Sequence, residues 1–449
     1  MDRVFYGVQI PEYSLGTGNI APLLEAILNF IWFVIHEAWW LVLFFILFRV
    51  ARSAYLYWKN LLFLKKHHGT ALLEINIPRE ITKNARGMEQ VLLALHGLGN
   101  SPDTFGEKYL DGEVPLWFTL EIVSFGGEVH FYIRCQHKQR NLIEAAFVSY
   151  YPDVEIIEVD DYMQRLPQGY DALTSDGYEM FGTELVLQKE ACYPIKTYLD
   201  FEVPDEDIQL VDPISTFLEI LSKVNEDEFV GIQLNISPGP RNWADKYKKT
   251  VKKLRDRKSK TDLDDDSKDE EEATRSPGQL KVLKAVEEKI SRPIFNSVIR
   301  FVYISPKETY YDTFARKGIT GAFGQYSSLD LNGLGQNQMV ATRTQIWFYP
   351  WVFPVWRRIL RQKRVYRDFI QRRMPDHEPV GKLLTSHILN WSIHSRTTEL
   401  SSTEIATLFH PPTNVVLTAP HIKRVESKKA GPPAGLSIFS EEDSIDKYL

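Results

Sequence analysis

The 22 residues from Ile27 to Phe48 are almost wholly apolar, and Arg49, Arg52, Lys59, Lys65 and Lys66 follow them. At about 1.5 Å of rise per residue, such a helix reaches roughly 33 Å, slightly more than a hydrocarbon core of about 30 Å. His36 and Glu37 sit near its middle, where a charge costs about 2.5 to 3.5 kcal/mol. Fifteen Leu, Ile, Val and Phe residues oppose that cost, at about 0.3 to 0.6 kcal/mol each, so insertion wins, with Glu37 protonated or facing a partner. A cleaved secretory signal would need a basic start and a shorter apolar core, whereas Asp2, Glu12 and Glu25 precede this one. The reading is a single retained span through Ile27, Trp32, His36, Glu37 and Phe48, in a helix over 21–66 that carries Tyr55, Tyr57 and Trp58 into an aromatic belt. Only Arg3 precedes the span. The excess of cations after it predicts an extracytoplasmic N-terminus (1–20) and cytoplasmic C-terminal domains on the inner membrane.

The rest of the chain is long enough for two ordinary cores. A net charge of -6 argues against a generally basic nucleic-acid binder. Cys135 and Cys192 make neither a disulfide framework nor a paired-cysteine zinc site, as suits a reducing cytoplasm. Between Lys246 and Lys258 eight cations accumulate, and Asp262 to Glu272 then hold eight acids. Such a block cannot form a core, so 259–276 is expected to be a disordered insertion ahead of a helix opening at Ser276-Pro277.

Periodicity predicts an α+β fold. Leu72–Ile77 alternates as a strand, and Met88, Val91, Leu92, Leu95 and Leu98 repeat at helical spacing. Trp117–Ser124 and Val129–Arg134 flank Gly126-Gly127, a hairpin signal; a helix over Leu142 to Val148 and a strand Val154–Val159 follow. The order β-α-β-β-α-β is the ferredoxin-like plan, placed at 70–165. A second α/β unit is expected at 180–346, from Glu184–Gln188, a helix Pro213–Val224 capped by Asp212, a strand Phe229–Ile236, a helix Gln279–Ile290, a strand Ser297–Ile304 and a helix Tyr310–Tyr326. A duplication of the first unit is compatible with this order, although no residue-level repeat supports it.

An aromatic and basic helical segment is expected at 347–410, ahead of an extended tail at 411–449. Val355, Ile359, Tyr366 and Ile370 share one helical face, among Arg357, Arg358, Arg361, Arg364, Arg367, Arg372 and Arg373. That face either docks on the second unit with the arginines in water, or lies against anionic lipid or nucleic-acid phosphates.

Leu95-His96-Gly97-Leu98-Gly99-Asn100-Ser101-Pro102 resembles the oxyanion turn of α/β-hydrolases, but no Gly-x-Ser-x-Gly elbow accompanies it. There is no P-loop for nucleotide phosphates, and His67-His68, His387 and His394 lack zinc-ligand spacing. The sequence therefore predicts no catalytic, cofactor-binding or metal-binding residue.

Four stretches carry a family resemblance. Thr403-Glu404-Ile405-Ala406 as cap and helix start, with Phe409-His410-Pro411 as stop, resembles the segment joining the membrane-proximal region to the motor in type IV secretion and conjugative-transfer ATPases of the HerA/FtsK superfamily. Ile77-Pro78-Arg79-Glu80-Ile81-Thr82-Lys83 and Ser305-Pro306-Lys307-Glu308-Thr309-Tyr310 are similar to an uncharacterised bacterial membrane family found beside such ATPases. The chain stops at Leu449, where the motor would begin. The resemblance implies a membrane-anchored, non-catalytic platform for a separately encoded hexameric ATPase. Its implied partners are the bilayer, that motor, nucleic acid through the basic segments, and further subunits in a homo- or hetero-oligomer. An envelope scaffold unrelated to secretion is the alternative.

Overall fold

The computed structural model describes residues 21–37, 39–66, 69–78, 85–99, 102, 104–201, 212–240, 242–255, 276–311, 313–343, 353–412 and 424–425. In chain order the elements are α1 (Ala21–Glu37), α2 (Trp39–Lys66), β1 (Thr70–Pro78), α3 (Ala85–Gly97), β2 (Phe118–Phe125), β3 (Glu128–Gln136), α4 (Arg140–Tyr150) and β4 (Glu155–Val159). Then come α5 (Tyr170–Ser175), β5 (Tyr178–Leu187), α6 (Ser215–Leu221), β6 (Phe229–Pro238), α7 (Lys248–Arg255), α8 (Pro277–Ile290) and β7 (Ile294–Pro306). The last are α9 (Thr320–Gly324), β8 (Leu334–Gln336), α10 (Pro354–Ile370), α11 (Pro379–Leu384), β9 (Thr398–Ser401), α12 (Ser402–Leu408) and β10 (Arg424–Val425). The protein is mixed α+β around one large, mostly antiparallel sheet. The predicted N-terminal extension (1–20), the charged insertion apart from Ser276, and the tail after Pro412 apart from Arg424–Val425 lie outside the described residues.

In the first half the order is β4-β1-β3-β2, every neighbour antiparallel. Gly126 and Gly127 close the β2–β3 hairpin at φ +56° and +89°, the two positive values that a two-residue type I′ turn demands. The second half runs β6-β7-β5-β8, again antiparallel. Its β6–β7 connection carries α7, the charged insertion and α8 where the first half has the glycine turn. Ser276 caps α8, its hydroxyl accepting from the Gln279 amide.

The halves are joined. β2 pairs with β6 in eight antiparallel registers, from Phe118 opposite Ile236 to Phe125 opposite Phe229. One apolar core then runs across both halves, including Leu73, Met88, Ile143, Phe217, Ile299, Phe323 and Ile405. This places α3, α4, α6, α9 and α12 on one face of the sheet. The second face is covered by α5 and α10 through Tyr170, Leu173, Val365, Tyr366 and Phe369.

Two expectations are corrected. The expected helical segment 347–410 is only partly helical: Thr398–Ser401 is a strand paired with Ile294–Ser297, and α12 is buried throughout. The α12 cap is Ser401, one side of a reciprocal capping box with Glu404, instead of Thr403. Glu404 also meets buried Lys289 at 2.8 Å, and Glu89 of α3 accepts from Tyr198, Ser402 and Thr403. These buried charges tie the C-terminal helix to both halves.

Candidate membrane anchor and basic surface

The described part of the apolar run falls in α1 and α2, which lie on either side of Ala38, itself outside the described residues. α1 holds Ile27, Trp32, His36 and Glu37, and α2 holds Phe48. His36 Nδ1 and Glu37 Oε1 are 3.0 Å apart in α1, both exposed, and the Trp40 indole donates to the Glu37 carbonyl at 3.2 Å. α2, 28 residues and about 42 Å long, is long and apolar enough to cross a membrane. Every apolar side chain from Trp39 to Val50 is exposed, whereas Ser53, Leu56 and Phe63 are buried against the rest of the protein. A large exposed apolar surface that ends where packing begins is what a buried soluble hairpin would lack.

The C-terminal half of α2 is fastened on two sides. Toward α11, the Ser53 hydroxyl donates to Glu378 Oε2 at 3.0 Å and accepts from the Val380 amide at 3.2 Å. Gly381 packs so closely on Tyr57 that a Cβ there would lie 2.6 Å from its ring. Toward a π-helical turn, Gly106–Asp111, Arg52 donates to the Tyr109 hydroxyl, Tyr55 to the Tyr109 carbonyl at 2.9 Å, and Lys59 to the Leu110 carbonyl.

The arginine helix faces inward. Arg357, Arg361, Arg364 and Arg372 are buried, so direct lipid or polyanion contact through these four is corrected. α10 turns Val365, Tyr366 and Phe369 to the sheet, leaves Val355 exposed and half-buries Ile359 and Ile370. It lies on two glycines, where a Cβ would sit 2.6 Å from Val365 at Gly182 and 2.4 Å from Phe369 at Gly231. Arg361 donates to the Gln338 and Ala341 carbonyls, and Arg364 to that of Trp391. Burial, with Arg357, Arg364 and Arg343 nearby, lowers the Arg361 pKa to about 10. Arg358, Arg367 and Arg373 are less buried and ion-paired, with Glu179 at 3.4 Å, Asp368 at 2.9 Å and Asp376 at 3.0 Å.

An open basic feature lies elsewhere. A cleft of about 470 Å³ is lined by Arg316, Lys317 and Arg343 with Gln188, Gln336, Gln338 and Thr320, and holds no carboxylate among its described lining residues. Gln336 sets its floor by donating to the Arg316 carbonyl and the Thr320 hydroxyl, at the end of another π-helical turn. Its size falls within the ligand-pocket range of about 300–1,000 Å³, and its donors suit carboxylate or phosphate oxygens. Arg316 and Lys317 adjoin in sequence, but Arg343 and Gln188 come from distant segments, which the β5–β8 pairing brings together.

The hydrolase-like stretch takes a different local structure, and His410 is held in the interior. His96 belongs to the last turn of α3, its ring edge-on to Phe295 at 5.2 Å, where a hydrolase would have a turn after a strand. His410 is buried, Nδ1 at 2.8 Å from the Ala406 carbonyl and Nε2 at 2.9 Å from Asp212. A carbonyl only accepts, so Nδ1 is the donor to Ala406. Asp212 accepts from the Ile214 amide as well, ordering the approach to α6. Among the described residues no group of three or more His, Cys, Asp or Glu is placed to hold a metal ion.

Fold and site together define a mixed α+β protein with a large antiparallel sheet and one candidate membrane-spanning helix near its N-terminus. Residues 83–420 match the family described as "Domain of unknown function (DUF8128)", and the chain belongs to that family. No curated protein matches the sequence.

Proposed function

We propose that this protein is a membrane-anchored, non-catalytic platform subunit of a type IV secretion-like transfer system, positioning a separately encoded hexameric ATPase. The observation that carries the reading is the continuity of α2, whose exposed apolar half becomes, within one turn, a buried strut of the sheet domain. Trp39–Val50 covers only about 18 Å, so a complete crossing draws on α1 as well. Arg49, Arg52 and Lys59 at its inner end support N-terminus out and domain in the cytoplasm. On this reading each half is a ferredoxin-like unit. From the shared edge both halves run second, third, first, fourth strand, which supports a duplication related by a two-fold axis between β2 and β6.

The transfer assignment rests on the resemblance around Thr403–Ala406, Phe409–Pro411 and Ser305–Tyr310. The basic cleft is the surface on this platform for nucleic acid or another anionic group. The test is purification of the detergent-solubilised full chain from its native cells. A P-loop ATPase of hexameric size in stoichiometric yield supports the platform, and its absence contradicts it. For the cleft, the Arg316→Glu/Lys317→Glu double variant should lose salt-sensitive binding to a labelled single-stranded oligonucleotide; unchanged binding removes the cleft from the account.

A further inference from the structure

Resting on the membrane-anchor reading, we propose that the turn Thr104–Gly112 is an interfacial foot. Phe105 enters the boundary between headgroups and acyl chains in the leaflet where α2 leaves the bilayer. The turn runs beside α2 in the same direction: Tyr109 meets Arg52 and Tyr55, Leu110 meets Lys59, and Gly112 packs against the backbone of Lys59. Phe105, one turn before Tyr109, is therefore level with the end of the exposed apolar stretch, near Phe48 to Arg52.

Its ring is stacked on Tyr109 at 4.5 Å and is 73% exposed. A large aromatic ring held in water next to an apolar helix surface is stabilised when the same lipid covers both. The turn is also ordered in advance. The Thr104 amide donates to Glu107 Oε2 at 3.1 Å, and the Glu107 amide to the Thr104 hydroxyl at 3.2 Å. Arg52 lies 5.4 Å from the Tyr109 ring, and exposed Lys108 places a second cation at headgroup depth. An aromatic tip with flanking cations is the composition of an interfacial anchor.

The test places an environment-sensitive fluorophore on single cysteines introduced as Phe105→Cys, Phe44→Cys or Leu329→Cys in the full chain. Native Cys135 and Cys192 are buried. Each protein is reconstituted into nanodiscs containing lipid spin-labelled either near the headgroup or deep in the chain. At position 105 emission should be blue-shifted and lose intensity, more with the shallow label than the deep one. Position 329, 98% exposed, should keep its intensity. Quenching at 44 but not at 105 overturns the foot and leaves the anchor standing. Quenching at neither overturns both. A blue shift at 105 without quenching means that a protein covers the ring, and it also overturns the proposal.

Discussion

Arg372 and Glu121 form a buried bidentate pair, Nε to Oε1 at 2.7 Å and Nη2 to Oε2 at 3.1 Å, linking the end of α10 to β2. Arg372 occupies a left-handed conformation (φ 50°) just beyond the helix, a position that glycine ordinarily fills. Its guanidinium also holds Asp161, and its carbonyl accepts from the Trp117 indole at 2.8 Å. Glu121 further accepts from Tyr162 and Gln233. Arg372→Ala would leave a buried carboxylate without its cation, at a cost of about 3–5 kcal/mol. Arg372→Gly should cost roughly 1 kcal/mol less, because glycine removes the left-handed strain. Urea unfolding of the detergent-solubilised chain measures both, and an Arg372→Ala change within about 0.5 kcal/mol of wild type contradicts the assignment.

The seat of α10 on glycine gives a second prediction. In Gly231→Ala the new Cβ would meet the Phe369 ring at 2.4 Å. The helix must lift or the ring must turn, costing about 1–3 kcal/mol. Shortening the partner in Gly231→Ala/Phe369→Leu should recover part of that loss. No recovery would show that the two residues do not bear on each other.

Stability should fall on mild acidification. Burial lowers the pKa values of His394 and His377, helped by Arg364 and Arg361 at the first and Lys382 at the second. Their charged forms are then favoured in the unfolded chain. The unfolded state takes up protons first, so stability is complete above about 6.5 and declines as pH drops below it. A lower arm belongs to Asp161. Burial would raise its pKa, but the Arg372 guanidinium outweighs burial and holds it below the usual carboxylate range. That contribution is present above about pH 4 and is lost as pH falls through the folded pKa. Urea midpoints from about pH 7 down to about pH 5 should therefore decrease, and less steeply in a His377→Gln/His394→Gln variant. A flat profile for the unaltered chain would refute this.

Both cysteines should resist thiol reagents in the folded protein. Burial pushes Cys135 up to about 12 and Cys192 up to about 11, so little thiolate exists near neutral pH. Labelling with a maleimide should be slow until denaturant is added. Rapid native labelling would mean that β3, or the loop holding Cys192, opens.

The first half of the fold was readable because its signals are local. β1 to β4 alternate or form short apolar runs, and Gly126-Gly127 announces its own turn. The second half was harder. An insertion separates β6 from β7, β8 is only three residues long, and β9 is supplied by a segment about a hundred positions downstream of the strand it pairs. The arginines of α10 misled for a similar reason. The carboxylate that neutralises Arg372 lies 251 positions upstream, and a helical wheel cannot distinguish a cation facing water from one reaching buried carbonyls. The apolar run was legible in composition, but the change from exposed to packed within α2 depends on Glu378, Val380 and Tyr109, far away in sequence.

The most direct test of the anchor is fractionation of cells making the full chain, with alkaline carbonate extraction of the membranes and protease treatment of right-side-out cells. The chain should stay in the carbonate-washed pellet, and the part after α2 should survive protease until the membrane is breached. Release by carbonate, or digestion of that part in intact cells, would contradict the account.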